Sequence, residues 1–396
     1  MNNGIARTPP TGWMSWMYYT TDITEEIIKG VVDKMVSTGL SELYEYVLCD
    51  DGWQTNRNST GGMVADPIKF PSGIPALVDY VHAAGLKFGI YTDVGSLTCG
   101  GQPGLNMDVN LTSQQYKMDV ATFAQWNVDA LKVDGCYQDP AIMNITYPAL
   151  SNAINETGHA MWLSCSWPCY VGGCSGGPST ISQDVYDALP TYCNTWRDYN
   201  DMYDDVNSLY NVIGAYTNPL AIIKHNKANR PGAWSDADMI AVGTGGLSLS
   251  EETMQMVMWS MFSSPLIMSN DLPNISPDSL NLLLNKELVA IDQDITAPSS
   301  FNVTDDHTYC KNLASNTIAL AGIRQCSLGP PINITLSPGK TDSSSRLSNC
   351  LLPVHTGVTQ WKFRDVINHL DLTTGVSVDC LVACPGACLL VATPIQ

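Results

Sequence analysis

The chain has 396 residues, enough for one large barrel with an appendage or for two domains. Its 19 Lys+Arg against 38 Asp+Glu leave a formal charge of −19, which argues against the basic surface that nucleic acid or an anionic lipid face demands. Charged residues make up only 14%, so the polar surface rests on Ser, Thr, Asn, Gln and Gly, and no apolar run approaches the ~18 residues of a membrane span.

From residue 1 to about 295 one unit recurs: a short β-branched or aromatic run ends in polar residues, and a helical stretch follows. The runs are GWMSWMYY (12–19), EYVLCDDGW (45–53), KFGIYTDVG (87–95), DALKVDG (129–135), MWLSCSW (161–167), TYCNTWRDY (191–199), GAWSDADM (232–239) and SPLIMSND (264–271). Between the first two, Ile27, Val31, Met35 and Leu40 recur near the helical period and Gly39 offers a stop. In 70–87 a Pro opens a second such stretch and Gly85 closes it. Eight alternations predict a (β/α)8 barrel over 1–295. The competing open sheet is expected to carry a Gly-rich phosphate turn after its first strand, and none is visible.

From about 296 to 396 helical spacing disappears. TIALAGIR (317–324), INITLS (332–337), VTQWKFRDV (358–366) and CLLVAT (388–393) read as strands separated by GPP, SPGK and CPGAC turns. This predicts a small antiparallel β-sandwich domain holding six cysteines: Cys310, Cys326, Cys350, Cys380, Cys384 and Cys388. Thirteen cysteines in all suit an oxidising compartment. Asn-x-Ser/Thr sites occur at Asn58, Asn110, Asn144, Asn155, Asn274, Asn302 and Asn333, which points to a glycoprotein of the eukaryotic secretory route, secreted or delivered to a vacuole or lysosome. MNNGIARTPPTGW has no apolar signal core, so a signal peptide is expected to have been removed.

In a barrel, catalytic groups sit where strands end, on the loop face. Here the runs end in Asp50-Asp51, Asp93, Asp134, Ser166, Arg197 to Asp201, Asp236 and Asp238. Any one Asp can simply cap the following helix; acid at most of the eight ends is harder to read that way. No GxSxG, HExxH or P-loop is present, so the chemistry falls to carboxylates. Trp (10) and Tyr (17) outnumber Phe (6), supplying flat rings with polar handles on which sugar C–H faces stack. Paired carboxylates among such rings form a glycosidase site, one ionised to attack and one with its pKa raised to hold a proton. The candidates are Asp134 and Asp201.

RTPPTGWMSW (7–16), CDDGW (49–53), GIYTDVG (89–95), LKVDGCY (131–137), CNTWRDYND (193–201), WSDADM (234–239) and SPLIMSNDL (264–272) together resemble the α-galactosidase/α-N-acetylgalactosaminidase (melibiase-type) family of retaining glycoside hydrolases, over essentially the whole chain. The resemblance implies that Asp134 is the nucleophile and Asp201 the acid, then base. It implies that Lys132 and Arg197 contact the sugar, that Asp50 and Asp51 grip its 4- and 6-hydroxyls, that Trp16 and Tyr91 form walls, and that Asp238 and Met239 lie at the pocket's edge. Cys99–Cys136 and Cys165–Cys193 match family disulfides. Cys169 and Cys174 are close enough in sequence to add a third, the six C-terminal cysteines can pair among themselves, and Cys49 is left free. No metal or organic cofactor is implied.

The implied substrate is a terminal α-galactose on an oligosaccharide, galactomannan or glycoconjugate. The resemblance also implies that the LSCSWPCYVGGC loop (163–174) bears on the 2-position of the sugar. Ser166 matches the N-acetylgalactosaminidase type, whereas Cys169 does not. The expectation is α-galactosidase, with α-N-acetylgalactosaminidase as the alternative and a catalytically dead galactose-binding protein as a remote one. The sequence leaves open whether the chain forms a homo-oligomer.

Overall fold

Eight short strands run parallel: β1 (Thr11–Met14), β2 (Tyr46–Cys49), β3 (Lys87–Asp93), β4 (Ala130–Asp134), β5 (Trp162–Cys165), β6 (Thr195–Arg197), β7 (Trp234–Asp236) and β8 (Leu266–Met268). They come from a computed structural model that describes residues 1, 3–296, 302–305 (backbone only), 308–338, 355 and 357–395. β8 pairs with β1, and pairing then follows chain order round to β7. A single bridge, Ile240 to Met268, joins the ends of the ring. The strands are buried on both faces, as a parallel sheet under helices must be. Each of the eight runs read from the sequence supplies one strand, and the architecture is a (β/α)8 barrel followed by antiparallel sheets.

The helices owe their limits to local chemistry. Glu25–Thr38 starts at Thr24, whose side chain accepts from the Ile27 N–H, and stops at Gly39, which is left-handed at φ 81°. Its inward stripe is Ile28, Val31, Val32 and Met35. Ile74–Ala83 carries Pro75 in its first turn, where the missing N–H costs nothing. The sequence reading missed a hairpin of Gln54–Arg57 with Met63–Ala65 and, after the barrel, the strands Asn302–Asp305, Thr308–Asn312, Leu370–Gly375 and Val378–Val382. QTNR has no apolar alternation to announce a strand.

Beyond the barrel, strands pair antiparallel in the order Asn302–Asp305, Thr308–Asn312, Ile318–Arg324, Gly386–Pro394, Trp361–Asp365 and Leu370–Gly375. A second sheet pairs Ile332–Leu336 with Val378–Val382. Alternation along Ile318–Arg324 explains the layers. Ala319, Ala321 and Ile323 join the barrel core, while Ile318 and Leu320 pack with Ile334, Leu336 and Val382 of the small sheet. Lys311 crosses the junction, donating to the carbonyls of Ser260 (2.9 Å) and Ile291 (2.7 Å). Burial pulls its ammonium down to about 8. Disulfides link Cys326 to Cys384 and Cys380 to Cys388. Cys310 is disulfide-bonded too, and Cys350 lies outside the described residues.

Of the expected glycosylation sites, Asn58, Asn110, Asn144, Asn155, Asn274 and Asn333 are exposed, and the side chain of Asn302 lies outside the described residues.

Candidate active site

A cavity of about 280 Å³ opens at the C-terminal ends of the strands, the size of a small single-ligand site. Trp16, Asp50, Tyr91, Lys132, Asp134, Ser166, Cys169, Arg197 and Asp201 line it. Asp134 ends β4. Its Oδ2 accepts from the Tyr91 hydroxyl at 3.1 Å, and its Oδ1 from the Gly135 N–H at 3.0 Å. Asp93 stands opposite on β3, in register with Asp134. Burial, then the Asp134 charge, push Asp93 up to about 9, although the N–H groups of Gly95 and Cys136 pull the other way. Burial and the neighbouring Asp134 charge thus both disfavour a second anion at Asp93.

Lys132 projects from the same strand two residues earlier, as the two-residue side-chain period dictates. Its Nζ donates to Asp50 Oδ2 at 2.7 Å and lies 5.4 Å from the centre of the Tyr91 ring. Burial alone would lower its pKa, but Asp50, Asp134 and Asp238 raise it, so the ammonium stays charged. Asp50 is raised by its own burial, and Lys132 opposes that.

Arg197 ends β6 and holds two carboxylates, Asp238 at 2.8 Å and Asp201 at 3.2 Å. Asp201 has 53% of its side chain exposed. Its partial burial raises its pKa, but Arg197 and Lys132 outweigh that and hold it below the usual range. The sequence reading expected a raised pKa at this position. The positive groups win because more than half of the side chain is exposed, which limits the desolvation that opposes them.

Three expected wall residues are placed elsewhere. Asp51 is fully buried, with its carboxylate bonded to the N–H groups of Gly52 (2.8 Å) and Gly100 (2.6 Å), and it does not line the cavity. The backbone turns sharply at Gly52 (φ 97°), where a Cβ would come within 2.7 Å of Thr21 Cα, and that turn faces the two neighbouring acids differently. Asp238 and Met239 do not line this cavity but a small void that shares Lys132 and Arg197 with it and is also lined by Met14, Leu48 and Trp162. Asp236 accepts from the Asp238 N–H at 2.8 Å, and burial raises it to about 7. Its contact is that of a turn residue.

The wall also holds residues the sequence reading did not assign: Tyr170, Asn200, Tyr203 and the Cys99–Cys136 disulfide itself. The Tyr170 hydroxyl bonds toward Asp134 and lies 3.1 Å from Cys136 Sγ. Asp134 is thus approached by two phenols. Tyr170 stands beside Cys169 on the short helix Trp167–Gly172, and Cys169 is bridged to Cys174. A third bridge, Cys165–Cys193, ties the end of β5 to the residue just ahead of β6, and Cys49 is buried and free. Asp93, Cys99 and Cys136 come close enough together to suggest a metal site, but disulfide sulfurs are not thiolate ligands.

The family model described as Alpha galactosidase A (Melibiase_2) matches residues 8–294. The chain belongs to this family. It is 38% identical over 305 residues to the α-N-acetylgalactosaminidase of Rattus norvegicus, covering 74% of this chain and 70% of that one. It is 35% identical over 398 residues to α-galactosidase A of Homo sapiens, covering 94% and 88%. Its fold matches the crystal structure of α-galactosidase I from Mortierella vinacea with a TM-score of 0.81 at 29% identity, covering 99% of this chain and 98% of that one. The protein is therefore a glycosidase of the α-galactosidase family, and both sugar specificities occur among its relatives.

Proposed function

We propose that the enzyme, with residues 1–295 as its catalytic unit, hydrolyses terminal non-reducing α-D-galactosides of oligosaccharides, galactomannan or glycoconjugates with retention of configuration. The observation that carries this reading is the meeting of Asp134 and Asp201 on the wall of one monosaccharide-sized cavity, each beside a fixed cation. A carboxylate oxygen of Asp134 attacks the anomeric carbon while Asp201 gives its proton to the departing oxygen. Asp201 then takes a proton from water, which attacks the same carbon and frees Asp134. Asp50 and Lys132 are placed to bond the sugar hydroxyls. The disulfides suit an oxidising compartment, and no described helix is long and apolar enough to cross a membrane.

Galactose leads because the bridged Cys169 puts bulky sulfur on the wall where an acetamide would need room. Ser166 on the same wall, with the 38% identity to an α-N-acetylgalactosaminidase, supports the second reading. Side-by-side hydrolysis of aryl α-galactoside and aryl α-N-acetylgalactosaminide decides between them. The expected outcome is a kcat/KM at least about tenfold higher for the galactoside, a 1.4 kcal/mol preference. A comparable or higher rate on the N-acetyl sugar reverses the assignment, and no turnover of either leaves a binding protein.

The Asp201 environment also sets a pH dependence. A proton donor held below the usual carboxylate range is protonated only in strong acid, so kcat/KM falls as pH rises through that lowered pKa. Bound sugar excludes water and raises the same group, so the descending limb of kcat lies at higher pH than that of kcat/KM. Coincident limbs count against Asp201 as the donor.

A further inference from the structure

β6 ends at Arg197, and residues 198–203 carry neither helix nor strand. Asp201 stands in this irregular stretch, yet misplacing a reacting group by about 1 Å costs on the order of 100-fold in rate. Two buried carboxylates hold the stretch. At its far end, Asp238 Oδ2 accepts from the Met202 N–H at 2.7 Å. At its near end is Asp198, which is wholly buried. Asp198 Oδ1 accepts from the Tyr216 hydroxyl at 2.7 Å. Its Oδ2 accepts from the Tyr186 hydroxyl at 2.7 Å and meets His225 Nε2 at 2.8 Å. These partners sit on three separate helices, Gln183–Tyr192, Val206–Tyr216 and Pro219–Ala228. None of those helices contributes a residue to the cavity wall. The rings of Tyr216 and His225 are 4.7 Å apart, so the donors are themselves packed in place.

We propose that Asp198 is a positioning residue for acid/base catalysis, pinning the start of the 198–203 stretch to three helices and so fixing where the Asp201 carboxylate stands beside Arg197. Neighbouring side chains in extended chain point to opposite sides. Arg197 reaches the cavity, and Asp198 reaches back into the helical layer. A carboxylate suits this place because it accepts from several donors at once. Asparagine has one acceptor oxygen and turns an NH2 toward a donor. The inference rests on the role proposed for Asp201.

The test compares Asp198→Asn, Tyr216→Phe and Asp201→Asn on two α-galactosides, one with a sugar leaving group and one with a nitrophenol leaving group that needs little protonation. Asp198→Asn is expected to lose roughly 10- to 100-fold in kcat on the sugar substrate and less than about threefold on the nitrophenyl substrate, with KM little changed. Tyr216→Phe, which removes one donor, shows the same split at smaller size and decides the matter should Asp198→Asn not fold. Equal losses on both substrates, or no loss, overturn the proposal, because general loosening does not discriminate between leaving groups. Asp201→Asn is the reference. If it shows no split, the reading of Asp201 fails; if it alone shows the split, only the positioning role of Asp198 fails.

Discussion

Asp134→Asn is expected to fold normally and to lose at least about 1,000-fold in kcat on every glycoside, activated or not. The amide has the same shape, and its oxygen still accepts from the Tyr91 hydroxyl or the Gly135 N–H. It is not charged and does not form the ester to the anomeric carbon. Since that bond is needed whatever the leaving group, a nitrophenol substrate does not rescue the variant. This separates it from Asp201→Asn, whose loss shrinks as the leaving group improves. Steady-state rates on both substrates, with a thermal unfolding midpoint within a few degrees of the parent, check the expectation. Substantial turnover by a well-folded variant would remove Asp134 from the nucleophile's place.

Lys132→Met is expected to destabilise the fold by about 3–5 kcal/mol at neutral pH and to abolish activity. The thioether fills much of the space, so the loss is electrostatic. The Lys132–Asp50 pair is 2.7 Å long, with only 10% and 2% of the two side chains exposed. Removing the cation strands Asp50 in a low-dielectric site. Asp50 is already raised by burial, and without Lys132 it rises further. A carboxyl whose folded-state pKa exceeds its unfolded value adds stability below the unfolded pKa and loses it as pH rises through the folded one. The deficit of the variant is therefore smallest in acid, where Asp50 takes up a proton, and grows toward neutral pH. Urea unfolding of both proteins across that range tests this, and a deficit independent of pH sinks the electrostatic account.

The barrel is readable in the sequence because each strand must be apolar on both faces and end where polar loops begin. YVLC satisfies that rule, and ALKVD departs from it only at Lys132 and the terminal Asp134. The hairpin at 54–65 escapes it because its strands are polar and lie outside the barrel. Most of the cavity wall is legible for the same reason as the barrel, since strand ends converge. What fails is orientation beyond the strand end. Adjacent acids at 50 and 51 look alike in sequence, yet one lines the cavity and the other is tied to backbone N–H groups. Asp238 adopts φ 77°, an unusual conformation for aspartate, and the WSDADM string gives no hint that it lines a separate void instead of the cavity. Tyr170 was missed because its place depends on how the short helix after β5 packs against the Cys99–Cys136 bridge.

The ring of strands is not uniformly closed. Seven of its joints are ladders of two or more residue pairs, while β7 and β8 meet at the one bridge from Ile240 to Met268. A hoop opens first at the joint with the fewest rungs. That joint adjoins Asp238, the carboxylate that holds both Arg197 and the Met202 N–H. Local opening of the barrel is therefore expected to start beside the Arg197–Asp201 side of the cavity. Asp134 is carried on β4, on the far side of the ring, where five residue pairs bind it to β3. The two carboxylates proposed for the reaction thus stand on parts of the ring that are unequally joined, Asp134 on the well-laddered arc and Asp201 near the seam.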